Sequence, residues 1–280
     1  CSSDLVNSYT ERSLSGAALV AYTRNRFAYS LAMEILRQEM RRQGFPEPFV
    51  AETDRLSRVT QERIPDLPRI LCAMPDALSL ADLRARYALP GLDEAYRQYF
   101  GTVPEDQRPD MIHLRGPLLF GIAESERARR FADALTDGDW GGAGRLMSIG
   151  HDGDRLLDAS GRPYRFDVSD GTLAEMAAQH TPIEMAPGAY GASAPVLDGI
   201  VDAAIAAGAL GSSLTGAGMA GTVLALCRAE DESRVVQAVR DWLGSDEYVK
   251  RAGKELGKDQ LDDAVHVNAA PAAAAELHGE

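Results

Sequence analysis

The sequence predicts an α+β fold, with a helix-rich region over residues 1–175 and a ferredoxin-like region over 176–280. Two observations carry this. From residue 195 onward the apolar pattern runs helix, strand, strand, helix, strand, which makes a ferredoxin-like sandwich once one earlier strand completes the sheet. Upstream, apolar residues recur at three- and four-residue spacing with Arg and Glu between them, as in helices that bury one face. The composition supports a buried core: 280 residues, 45% hydrophobic and 25% charged, make a globular chain and not a disordered one.

The first strong helix spans about 26–42, with Phe27, Leu31, Ile35, Leu36 and Met40 on one face, and Pro46 and Pro48 end it. Ser79-Leu80-Ala81-Asp82 starts another, because a Ser cap and an acidic residue three positions on can satisfy the free N–H groups of a first turn. It stops before Pro90, and a short helix follows over 92–100. The longest helix is expected to begin at Pro117, a favoured first-turn residue, and to run to about 136. Its buried face would hold Leu118, Leu119, Ile122, Ala123, Phe131 and Leu135. Gly138-Asp139 closes it, and 140–149 resumes as a shorter helix. Residues 151–190 are rich in Gly, Asp and Pro and are expected to be loops, with one helix near 172–179. Then come a helix over 195–207, a short strand over 210–214, a buried strand over 222–227, a helix over 233–243 and a closing strand over 264–267. The Ala-rich residues 269–275 are expected to fray, and there is no internal repeat.

A net charge of −13 argues against non-specific binding to nucleic acid or to an anionic membrane, both of which need a basic surface. Cys1, Cys72 and Cys227 are odd in number, far apart and without a CxxC pair, so neither a disulfide framework nor a zinc site is expected. No apolar run approaches the roughly 18 residues of a membrane helix, and a cytoplasmic location is the default. The opening Cys1-Ser2-Ser3-Asp4 has no initiator Met. A mature lipoprotein also begins with a lipid-bearing Cys, but a fragment cut at an arbitrary point is the preferred reading.

The most informative segment is Gly211-Ser212-Ser213-Leu214-Thr215-Gly216-Ala217-Gly218-Met219-Ala220-Gly221-Thr222. Three glycines within six residues, between two strands, permit positive φ and close approach of the backbone to another group. A tight hairpin alone would use the same residues. The loop lacks the lysine of a P-loop and opens no helix, so it is neither a Walker A nor a Rossmann turn.

Ser193-Ala194-Pro195-Val196-Leu197-Asp198, then a helix, then Gly208-Ala209-Leu210 and the loop, resembles the third motif of the GHMP kinases. More narrowly it is similar to their galactokinase branch, where a Ser-x-x-x-Leu-Asp helix leads into a Gly-x-x-x-Thr-Gly-x-Gly loop. Upstream, Glu124-Ser125-Glu126-Arg127, Leu135 with Gly138-Asp139, Gly144-Arg145-Leu146-Met147 and His151 resemble that branch in order and spacing. Tyr22-Thr23-Arg24-Asn25-Arg26 resembles its Tyr/Phe-Asn-x-Arg segment. The likeness spans about 3–227, and 265–275 is compatible with the closing strand. Three positions depart from the pattern: Ala220 stands where glycine is more frequent, Met219 where Phe is, and Phe120 where a His is usual. An Ala at a position needing positive φ would cost stability.

The resemblance implies the ferredoxin-like C-terminal domain of a GHMP kinase with helical additions. It implies an ATP- and Mg²⁺-dependent sugar-1-kinase, acting on galactose or a related sugar. The N-terminal ATP-binding domain, with its Gly-x-Gly-x-Ser-Ser-Ser loop and the catalytic Asp and Arg, is expected to lie outside these 280 residues, so no catalytic residue is assigned here. Cys1-Ser2-Ser3 is not that loop: no glycines precede it, no Ala-rich helix follows, and Tyr22 comes too soon. By the resemblance, Thr215, Gly216, Ala217, Gly218 and Gly221 would brace the phosphates or the nucleotide loop, and Tyr22 would pack on the sugar. A branched residue at Gly218 is expected to harm catalysis and leave the fold intact. The rival reading is a non-catalytic GHMP-like module that binds a sugar or a partner, lipid-anchored through Cys1.

Other candidates carry less. His151-Asp152-Gly153-Asp154 offers three possible metal ligands but no partner cluster, and a solvated loop is expected. His113 and His180 are isolated, and Glu230-Asp231-Glu232 suits the N-terminal dipole of the helix that follows.

Overall fold

The structure, a computed structural model, describes residues 2–11 and 16–269. It opens with strand β1 (Ser2–Asn7) and the long helix α1 (Gly16–Arg42). Helices α2 (Glu47–Glu52) and α3 (Leu67–Ala73), strand β2 (Ala77–Leu78), helices α4 (Leu80–Arg86) and α5 (Leu92–Phe100) and strand β3 (Ile112–His113) follow. Helices α6 (Arg115–Thr136), α7 (Trp140–Asp154) and α8 (Asp170–Ala178) complete the helix-rich stretch. The last part is α9 (Pro195–Ala206), β4 (Gly211–Leu214), β5 (Thr222–Cys227), α10 (Glu232–Leu243), α11 (Asp246–Ala252), α12 (Lys258–Asp262) and β6 (Val265–Ala269).

The earlier strand that a ferredoxin-like sheet requires is β1. The sheet order is β4-β5-β1-β6, antiparallel throughout, with Asp4 opposite Ala225 on one side and Val267 on the other. Taken with α9 and α10, this is the split βαβ-β-αβ arrangement. Residues 2–7 therefore lie at the centre of a sheet otherwise built from 211–269. Val6, Val223, Ala225 and Val265 turn toward α9 and α10, where they bury Val196, Leu197, Ile200, Val201, Val235, Val239 and Leu243. Each such aliphatic side chain contributes about 1.5–3 kcal/mol when fully removed from water.

The helical stretch has its own core. Phe27, Leu31, Ile35, Leu36 and Met40 of α1 are all buried, together with Phe100 of α5 and Leu118, Leu119 and Ile122 of α6. Phe27 lies 5.4–5.7 Å from the rings of Tyr96, Tyr99 and Phe100, spacing suited to edge-on packing. Ser79 caps α4 as expected, its hydroxyl accepting from the Asp82 N–H at 3.1 Å.

Several boundaries differ from those expected. Helix α1 begins at Gly16, ten residues before its strongest apolar periodicity. Helix α6 begins at Arg115, not Pro117, because the buried Arg115 guanidinium ties that turn down by donating to the carbonyls of Met74 and Val168. Its far end is exposed, and Leu135 sits on the surface. Helix α7 does not stop at 149 but continues through Asp154, so His151-Asp152-Gly153-Asp154 is helical and not a solvated loop; His151 is 0% exposed. Among the described residues no helix is long and apolar enough to cross a membrane. Cys1, and with it the anchoring expectation, lies outside the described residues, as do 270–275 of the Ala-rich tail.

Candidate functional site

The first turns of α1, the middle of α6, the C-terminal end of α7 and the β4–β5 hairpin enclose a cavity of about 460 Å³. Tyr22, Arg26, Glu124, Asp154, Gly216 and Ala217 are among its walls. Three of the residues singled out in sequence, Tyr22, Gly216 and Ala217, thus meet in one cavity although about 190 positions separate them along the chain. The Arg26 guanidinium lies 5.7 Å from the Tyr22 ring centroid, within cation–π range.

The other three loop residues serve the hairpin. Thr215 pairs with Thr222 through both its N–H (3.0 Å to the carbonyl) and its hydroxyl (2.8 Å). Gly221 accepts from the N–H (2.9 Å) and hydroxyl (2.5 Å) of Ser8, which joins the loop to the end of β1. Gly218, at φ 74°, presses on the backbone of Ala192, so that an added Cβ would overlap the Ala192 carbonyl. A branched residue there would therefore cost fold stability, which the sequence expectation did not include. Positive φ also falls on Met219 (67°) and not on Ala220. The Met219 N–H donates to Ala192 at 2.7 Å, a bond that holds the strained residue in place. Ala220 therefore carries no left-handed strain in place of the expected glycine.

Behind the cavity lies a polar cluster whose residue types were visible in sequence but whose roles were not. Asp198, in the first turn of α9, is fully buried and accepts from Leu156 N–H (3.0 Å), Leu157 N–H (2.8 Å) and the Ser193 hydroxyl (2.5 Å). This explains the Ser-x-x-x-Leu-Asp spacing: the serine just ahead of the helix satisfies a carboxylate inside it. His151 takes the Leu214 N–H on Nδ1 at 3.3 Å, and its Nε2 stands 3.3 Å from Asp198 Oδ1 without the alignment of a hydrogen bond. The three side chains of the 151–154 segment go to separate partners, with Asp152 on Arg155 at 3.0 Å and Asp154 on the Ala192 N–H at 3.1 Å.

Asp154 faces the cavity and is 8% exposed. Burial pushes its carboxyl up to about 7; the Ala192 N–H opposes the rise and the Glu124 charge adds to it. Glu124 is paired with Arg127 at 2.7 Å, and Arg127 donates to the carbonyls of Glu184 and Ala186, which fixes the chain leading to Tyr190. Phe120 stacks on Tyr190 with centroids 5.2 Å apart and planes 12° apart, so the residue departing from the family's His is an aromatic support.

With this geometry in view, residues 168–244 match the family model described as GHMP kinases C terminal, a stretch that holds α8 through α10. The match supports membership of the GHMP superfamily and a relation to its kinases. No curated protein matches the chain.

Proposed function

We propose that the chain forms the sugar-binding wall of an ATP-dependent sugar-1-kinase of galactokinase type. The observation that carries this reading is the meeting of Tyr22 with Gly216 and Ala217 in one cavity. Tyr22 packs on the sugar ring, and the 215–218 backbone, steadied by Gly221, braces the phosphates or the loop that holds them. The residues fit the phosphate end of ATP. Gly216 and Ala217 are exposed on the cavity, and among the described residues their N–H groups and that of Gly218 donate no hydrogen bond. Such donors suit phosphate oxygens.

ATP with Mg²⁺ would supply the phosphoryl group and neutralise its charge, with the 215–218 backbone against its phosphates. What this chain contributes is orientation: a wall that places the anomeric hydroxyl and keeps water from competing for the phosphoryl group. In this reading the partner is a small-molecule sugar, with no nucleic acid or membrane involved and a cytoplasmic setting. The test is phosphorus NMR of the product of the natural reading frame, incubated with ATP, Mg²⁺ and a panel of hexoses. A new anomeric phosphate resonance is expected, and its absence for every hexose overturns the reading.

A further inference from the structure

A second cavity, about 540 Å³, shares Tyr190 with the first and lies beside the first turns of α1 and α6. We propose that it binds a small organic anion, whose carboxylate or phosphate is held by Arg24 and Arg165 and whose body rests on apolar walls. Leu156, Phe166, Pro117 and Met219 supply those walls. The volume suits a small molecule and excludes a folded partner.

Positive charge is left incompletely compensated at this cavity, in a chain of net charge −13. Three arginines line the cavity: Arg24, Arg155 and Arg165. Arg155 is neutralised twice, by Asp152 at 3.0 Å and Asp202 at 2.8 Å. Asp152 is the carboxylate in the lining, and it is committed to that pair. Arg165 donates to the His113 ring at 3.2 Å and is 3.7 Å from Asp76, which lies outside the lining. Arg24 makes no ion pair or hydrogen bond among the described residues, and its Nε is buried without a partner.

Burial pushes the Arg24 guanidinium below its ordinary range and the Arg165 charge depresses it further, so the two cations that share this lining repel each other. Burial, and then the same Arg165 charge, hold His113 below its usual range, so its ring does not add a full positive charge. Arg24 is half-buried, and a bound anion would offset the cost of its unpartnered Nε by accepting charge-assisted hydrogen bonds. Asn25, also in the lining, spends one of its two amide N–H donors on the Tyr190 carbonyl at 2.5 Å and carries no charge to match an anion.

The experiment is calorimetric titration of residues 1–280 with inorganic phosphate and with benzoate, at constant ionic strength held by sodium chloride. The same titrations follow for Arg24→Gln and Arg165→Gln. Saturable binding of at least one probe is expected, weakened at least tenfold in both variants. Melting temperatures without anion, measured in parallel, identify a variant that fails to fold; Arg165, with 42% of its side chain exposed, is the safer of the two. If Arg24→Gln fails to fold, Arg165→Gln alone decides. No saturable binding of either probe to the parent chain, or undiminished binding to any folded variant, overturns the proposal. Benzoate is neither a sugar nor a phosphate, so the benzoate arm decides the proposal independently of the kinase reading, in which phosphate would also meet the 216–218 backbone.

Discussion

Gly144 of α7 and Gly211 of β4 lie backbone against backbone, so that an added Cβ on either one would overlap main-chain atoms of the other's strand or helix. Each glycine belongs to a different motif in the sequence, and this contact is what brings the two motifs together. Helix α7 can then lie directly on the β4 edge and deliver His151 and Asp154 beside the hairpin.

Gly144→Ala and Gly211→Ala should each destabilise the chain by about 2–3 kcal/mol, since neither backbone can retreat without moving the helix or the strand. Urea denaturation of residues 1–280 measures this. A loss below about 0.5 kcal/mol in both variants would mean that the contact is slack.

The loop glycines should separate in the same assay. Gly216 has φ 71° and open space around it, so Gly216→Ala should cost about 1 kcal/mol from the left-handed backbone alone. Gly218→Val adds a collision with the Ala192 carbonyl and should cost about 3 kcal/mol or more. Equal losses at the two positions would refute the packing of Gly218 on Ala192.

Asp154 should make stability depend on pH. Its carboxyl is raised from 3.8 to about 7 in the folded chain, so the folded state holds a proton that the unfolded chain has released. The stability from that proton is present below pH about 4 and is lost as pH rises toward and through about 7. Asp154→Asn keeps an acceptor for the Ala192 N–H and removes the titration. Melting temperatures between pH 5 and 8 should therefore fall more steeply in the parent chain than in the variant; parallel curves would show that Asp154 is not so displaced.

Tyr22 should govern sugar affinity more than turnover. On the proposed sugar-kinase reading, Tyr22→Ala would remove a packing surface felt equally by ground and transition states, so KM for the sugar should rise by about tenfold with kcat within about threefold. Tyr22→Phe should stay near the parent. A fall in kcat with unchanged KM would assign Tyr22 to the chemical step and not to the sugar platform.

The regular elements were legible where local signals agree with tertiary packing. The Ser79 cap, helix α5 and the order of the final elements follow from spacing and capping chemistry. The end of α7 was not legible, because Gly150, Asp152 and Gly153 resemble a loop. They are helical because Gly153 lets the helix press against Phe120 and the Pro187 carbonyl, a contact that only the folded chain contains. Strand β1 was hidden for a similar reason: its inward positions include Ser2 and Asp4, polar residues buried against Cys227. In the cavity, the loop and Tyr22 were visible as motif residues. Asp154 was visible only as a possible metal ligand in an expected solvated loop, since its raised carboxyl comes from burial in the folded chain.

The central place of β1 has a consequence for the order of folding. Asp4 must meet Cys227 across 223 residues, and closing a flexible loop of that length costs about 5 kcal/mol in chain entropy. The helical stretch, with a core of its own, shortens that search if it condenses first. Strand β1, made before the rest of its own sheet, is then among the last to be paired, and until β5 and β6 arrive its open edges can recruit a strand from another chain.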